Sequence, residues 1–325
     1  MKKERGFSLV ELMVAIVIGL ILVAGVIELF INNRQMYRVQ DNYARLQENG
    51  RYALSILGDA IESTGFSGCS SRSGNDLQNT LTSFTQLQRD YDTLITGHAY
   101  QTSNWSPVLP TDIQTRLPLP NSDILTTRNI QSPDARITGS SGNQINVNND
   151  SGFKEGDFVL AHDCEISAVF ELNGVGSNTL TITADSAAFD YEFKAGARVH
   201  KIDTNTFFIR ENPNNQPALY RFNSALGLTE LIDGIEAIKL QFGISETGDN
   251  GSADYYASAD GISATEWDGV VSVRISLLLV SSERNLTTSE YTFSDDSDFS
   301  DYTVEEDGRL RRVVSRTITL RNRTP

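Results

Sequence analysis

Phe7-Ser8-Leu9-Val10-Glu11-Leu12-Met13-Val14-Ala15-Ile16-Val17-Ile18-Gly19-Leu20-Ile21-Leu22-Val23-Ala24-Gly25-Val26-Ile27 is the stretch on which the reading of this chain turns. The apolar run continues to Ile31, with Glu11 and Glu28 as its charges. Its uncharged part, Leu12 to Ile27, falls just short of a bilayer span, but the whole run from Phe7 to Ile31 is long enough to cross as a helix. A secretory signal has a shorter apolar region followed by a small-residue cleavage site. Leu22-Val23-Ala24-Gly25 hints at such a site and at a lipoprotein box, yet Val26 stands where a lipid would need Cys. A plain anchor helix is a further alternative. None of these accounts for Glu11. A charge in hydrocarbon costs about 2.5–3.5 kcal/mol at the helix centre and less near the interface, so an intramembrane carboxylate marks a function with a partner.

Downstream, the first proline is Pro107, and Met36, Tyr43, Leu46, Ala53, Leu57 and Ile61 recur at spacings of three, four or seven. That spacing is one helical face. It predicts a single helix over residues 7–64, about 85 Å long at 1.5 Å per residue. Its first half is apolar all round; its second half is amphipathic, so one face packs on a globular domain. Gly19 and Gly25 weaken it mildly, and Ser63-Thr64-Gly65 is a plausible stop.

The remainder, 65–325, reads as one β-rich domain, which makes the fold class α+β. Ile238, Leu240, Phe242 and Ile244 alternate with polar residues, as do Val271, Val273, Ile275, Leu277 and Leu279. Val314, Ile318 and Leu320 face one way, interrupted by Arg316. Shorter strand candidates are 144–147, 157–161, 180–184, 206–210 and 219–222. Segments 70–122 and 245–268 are polar and loop-like. Neither an internal repeat nor a linker stands out.

Charge narrows the function classes. The formal net charge is −15, which argues against nucleic-acid binding, because a binder needs a basic stripe to neutralise phosphates. The acidity reads as solubility. Cys69 and Cys164 lie beyond the apolar segment. If that region is extracytoplasmic, a disulfide is the default reading, with two buried thiols as the alternative.

No constellation for catalysis emerges. His162-Asp163-Cys164 could offer His162 and Cys164 to one zinc, but such a site needs further ligands and the sequence shows no second cluster. The other histidines are His98 and His200. Ser151-Gly152-Phe153-Lys154 fits a Ser-x-x-Lys pattern inside a turn signal, without its partner motifs. Asp295, Asp296, Asp298 and Asp301 would suit calcium but lack the EF-hand glycine, so a solvated loop is the plainer reading. Trp105 and Trp267 sit in polar stretches; burial is the plainer role, stacking on a sugar or surface the sharper one. The expectation is no enzyme, no metal and no cofactor.

Gly6-Phe7-Ser8-Leu9-Val10-Glu11, behind the short basic leader Met1-Lys2-Lys3-Glu4-Arg5, resembles the prepilin processing site of type IV pilins and type II secretion pseudopilins. Further along, Ser63-Thr64-Gly65-Phe66-Ser67-Gly68-Cys69, Gly156-Asp157-Phe158-Val159-Leu160 leading to Asp163-Cys164, and Asp233-Gly234-Ile235-Glu236 are similar to the PilW family of minor pilins. So are residues 271–278 and 312–322, and the order of these motifs carries the likeness. The resemblance implies a leader, 1–6, cut after Gly6 by prepilin peptidase on the cytoplasmic side, and N-methylation of Phe7. It gives Glu11 the assembly role and leaves 65–325 in the periplasm. Lys2, Lys3 and Arg5 before the span and Arg34, Arg38 and Arg45 after it do not settle orientation by charge alone. The implied function is a minor pilin that helps initiate type IV pilus assembly at the filament tip, with other minor pilins, the major pilin and the inner membrane as partners. A type II secretion pseudopilin, a tip-located adhesin and, more remotely, an anchored periplasmic enzyme are the alternatives.

Overall fold

Leu9–Glu62 forms one unbroken helix, α1, of 54 residues. In the computed structural model the described residues are 9–66, 77–81, 91, 93–163, 165–183, 190–223, 226–246, 251–289, 291–294, 298–300, 302–304 and 306–323. The first part of α1, to Ile31, is exposed on nearly every face, and the helix is long and apolar enough to cross a membrane. The second part buries Asn42, Leu46, Gly50, Ala53, Leu57, Gly58 and Ile61. Steps of three and four keep these positions on one face. Each fully buried Leu or Ile contributes about 1.5–3 kcal/mol.

The stripe starts later than its spacing predicts. Met36 and Tyr43 are 60% and 40% exposed; at this end Val39 packs against the core and polar contacts join the helix to the domain. The Arg38–Glu283 ion pair (2.7 Å) and a bond from Gln35 Nε2 to Asn285 O are two of them. Gly50 and Gly58, which a count of apolar residues passes over, lie on the buried face. A Cβ on Gly50 would stand 2.6 Å from Leu279 Cδ1, so this glycine sets how closely the helix approaches the sheet. The helix stops where expected: Gly65 has φ +89°, a left-handed value that favours glycine. Asn129 Nδ2 donates to Ala60 O (2.6 Å) and Asn322 Nδ2 to Thr64 O (3.1 Å). Two distant segments thereby satisfy carbonyls the helix end leaves open.

The elements that follow are β1 (Leu77–Asn79), β2 (Ile95–Tyr100), β3 (Trp105–Ser106), the one-turn helix α2 (Thr111–Gln114), β4 (Ile124–Ser141), β5 (Gln144–Val147), β6 (Phe158–His162), β7 (Ser167–Gly176), β8 (Thr179–Ile182), β9 (Arg198–Glu211), β10 (Pro217–Asn223), β11 (Gly227–Asp233), β12 (Ile235–Ile244), β13 (Tyr255–Ala257), β14 (Val270–Val280) and β15 (Arg311–Thr319). Four of them make an antiparallel sheet in the order β13-β12-β14-β15, and α1 contacts β14 and β15. The main core lies between α1, this sheet, and β2, β4, β9 and β10 of the larger sheet.

The larger sheet partly closes on itself. β4 pairs with β5, β5 with β8, β8 with β7, β7 with β6, β6 with β9, and β9 returns to β4. This ring of six strands is filled by Ile137, Ile145, Val159, Phe170, Leu172, Leu180, Val199 and their neighbours. A closed ring has no free edges within it.

Ser122 and Asp123 join the two sheets. Ile238 N donates to Ser122 Oγ, and Leu240 N and Tyr100 N donate to the two carboxylate oxygens of Asp123. β13 covers only the Phe242–Ile244 end of β12, so these side chains satisfy donors along the rest of it.

The α+β architecture and the strands at 144–147, 219–222, 238–244 and 271–279 agree with the sequence reading. Segment 70–122 is a correction: it contains β2, whose Ile95 and Ala99 are core residues. Segment 245–268 likewise holds β13 and the buried Ile262 and Trp267.

A larger side chain at Gly50 tests the close approach. Gly50→Val is expected to destabilise the detergent-solubilised protein by about 1–3 kcal/mol through overpacking, seen as a lower Tm. Gly25→Ala, with nothing within 4 Å of its added carbon, should leave Tm unchanged.

Candidate functional site

The first candidate site is the start of α1. Glu11 lies in the first turn and is exposed, flanked by exposed Leu9, Val10, Leu12 and Met13. A carboxylate there complements the positive end of the helix dipole. On an apolar surface it can neutralise a cation delivered by a neighbouring molecule, an interaction that strengthens as water is excluded. Gly6 and Phe7 lie outside the described residues.

The second candidate site is where α1 meets the ring. Side chains alternate along β6 and β9, so Val159, Ala161 and Val199 fill the ring while His162 and His200 point out of it. Their Nε2 atoms are 3.2 Å apart. The rings are 5° from parallel with centroids 5.2 Å apart. A centroid separation this much longer than the Nε2 distance fits an in-plane bond, one Nε2–H donating to the other Nε2. Phe66, just past the helix stop, sets its ring edge-on to both imidazoles at 5.5 and 5.6 Å. Leu160, Val169, Ile202, Leu81 and Tyr91 extend the contact into a small apolar cluster.

Burial pushes the His162 pKa down to about 4, assisted by His200 and Arg198 and opposed by Asp163. Burial also lowers His200, with Asp134 opposing and Arg198 assisting. Both rings are therefore neutral at pH 7. Beside them a cavity of about 430 Å³ is lined by His162, Asp163, Glu165, Tyr191, Lys194 and Arg198 among others. The Tyr191 hydroxyl donates to Asp163 (2.7 Å) and Glu165 (3.1 Å).

His162 and His200, far apart in sequence, are thus brought together; sequence reasoning paired His162 with Cys164 and missed His200. Period-two alternation on both strands is the signal that could have found them. Cys69 and Cys164 lie outside the described residues, as do Asp295, Asp296 and Asp301. Asp298 accepts a hydrogen bond from Ser276 Oγ. Among the described residues there is no group of three or more His, Cys, Asp or Glu able to hold a metal. His98 is buried, its Nδ1 2.7 Å from Pro107 O. Trp267 is 5% exposed and meets Phe242 edge-on. Trp105 is half-buried and donates to Ser122 O, so both tryptophans serve the interior rather than offering an open stacking platform. Ser151 and Lys154 sit in the turn before β6, where Asn149 and Asp157 accept their backbone N–H groups.

Two family models match the chain. Residues 206–322 match the family described as Type IV Pilus-assembly protein W, and residues 1–27 match the Prokaryotic N-terminal methylation motif. No curated protein and no solved structure gives a match. Most of the six-stranded ring, from Ile124 to Asn205, falls between the two matched regions.

The histidine pair gives the domain an acid sensitivity. A folded pKa below the free value of about 6.5 means full stability above that value and progressive loss as pH falls through the folded value. Tm is expected to fall between pH 7 and pH 4, and His162→Gln, which can still donate to His200, should flatten that fall in a thermal-melt series.

Proposed function

We propose that this chain, a PilW-type pilin and a minor subunit of type IV pili, primes filament assembly and occupies the filament tip. Pilin-family regions at both ends point to a structural protein, and the reading includes no catalysis. The observation that carries it is the form of α1: an apolar half standing clear of the domain, a carboxylate in its first turn, and a second half fixed to a sheet. A subunit built this way can wait in a membrane and then move into a filament without refolding.

In this reading the peptidase cuts after Gly6, which creates an ammonium at Phe7 that methylation leaves charged. Glu11 pairs with the Phe7 ammonium of a neighbouring subunit in the filament core, where low dielectric makes the pair strong and a lone carboxylate costly. The domain 65–325 lies in the periplasm before assembly and meets other pilins through its surface. A role as a type II secretion pseudopilin would use the same helix; the genes beside this one separate the two machines.

The reading includes a Cys69–Cys164 disulfide, supported by the residues that flank it. Phe66 and His162 are in ring contact. Cys69 follows Phe66 by three residues and Cys164 follows His162 by two, so the two cysteines flank that contact in the sequence. Such a bridge closes a loop of about 95 residues and, in the chain-entropy model, stabilises by about 4–5 kcal/mol.

Two outcomes follow. Glu11→Ala should be processed and accumulate in the membrane at wild-type level, yet be lost from sheared filaments, with filament number reduced; normal piliation would reject the pairing. Thiol labelling of the denatured, unreduced protein should modify neither cysteine, and labelling of both would rule out the bridge.

A further inference from the structure

Among the described residues β15 ends its sheet, and its outer side has the features of a docking edge. Leu320 N donates to Val271 O, and Ser281 N donates to Leu310 O. Carried through the unbroken β14–β15 register, this parity makes the even-numbered residues of β15 exchange bonds with β14. The N–H and C=O groups of Val313, Ser315 and Thr317 then point away from it. Ser315, Arg316 and Thr317 are exposed in succession, as expected for a strand open on one side.

The charge at this edge runs against the rest of the protein. Residues 309–323 contain six arginines and no acidic residue, in a chain of net charge −15. Arg309 and Arg311 are buried against Asp307 and Glu236, and Arg321 reaches Glu62. Arg312 stays exposed on β15 itself, and Arg316, also exposed, sets its guanidinium 4.0 Å from Glu62.

We infer that β15 is the docking edge for an acidic, extended segment of a different pilin, which joins the sheet as a fifth strand. Main-chain bonds to residues 313, 315 and 317 provide the affinity, and Arg312 and Arg316 select an acidic partner. Two-fold pairing with a second copy opposes arginines directly when centred on Val314 or Arg316, which is destabilising. Pairing centred on Ser315 avoids that, but every register joins two edges that both carry Arg312 and Arg316, whereas an acidic segment offsets them. The edge is also well placed, because α1 lies over β14 and β15 and a subunit that packs along α1 brings its domain to this side. The inference rests on the reading of the chain as a pilin subunit.

The test uses the full chain in piliated cells, with a photo-crosslinking phenylalanine analogue at Thr317 and mass spectrometry of the joined peptides. The expected product joins Thr317 to an acidic segment of another pilin, and Arg312→Glu with Arg316→Glu should cut its yield at least fivefold. Crosslinks only to a second copy, only to non-pilin proteins, or to nothing would overturn the proposal. Thr317→Pro removes an outward N–H and leaves the β14 ladder whole, so it should keep Tm and reduce filament number at least tenfold. Arg316→Pro, which removes a ladder bond, should lower Tm. Wild-type filament number in Thr317→Pro, alongside loss of filaments in Glu11→Ala, would overturn the docking edge alone. Normal filaments in Glu11→Ala would reject the Glu11 pairing, and a membrane protein that keeps Met1 would overturn the pilin reading beneath the inference.

Discussion

One helix must serve two solvents. A segment that crosses a bilayer has to satisfy its backbone internally and show apolar side chains all round, whereas a segment on a soluble domain has to bury one stripe and hydrate the rest. α1 does both without a break. Its apolar half stands clear of the domain and its second half settles onto the sheet through Leu46, Gly50, Ala53, Leu57 and Ile61. The absence of proline before Pro107 lets the two halves remain one rigid rod. Any force on the N-terminal half is therefore transmitted directly to the core.

The rest of the architecture is arranged around the far end of that rod. Asn129, from β4, and Asn322, from the last turn, meet the final helical carbonyls. Phe66 then lies against the histidine pair on the outside of the ring. The ring is thus attached at the helix terminus and through β4 and β9, which run from it into the main core. This makes it an addition to a helix-on-sheet body rather than a separate appendage. It also falls largely between the regions matched by the two family models.

What the sequence disclosed follows from how each element is stabilised. α1 was legible because its first part is apolar nearly throughout and its second part carries one apolar stripe. β12 and β14 were legible because one face is apolar and strictly alternating. β4 was not, because much of its buried surface is polar: Thr126 bonds Thr206 and Arg128 bonds Thr93 O, partners that no local pattern reveals. The first half of β9 was hidden for the same reason. Gly50 and Gly58 were invisible as packing residues because they act by lacking a side chain. Of the candidate sites, Glu11 was legible as a charge that hydrocarbon should not hold, while the His162–His200 pair needed the strand register.

The central claim, that the chain is a processed pilin, can be read from one number: the intact mass of the protein recovered from membranes and sheared filaments. The expected mass is that of residues 7–325 with one added methyl group on Phe7. A mass that retains Met1, or one that begins near Val26, would contradict it.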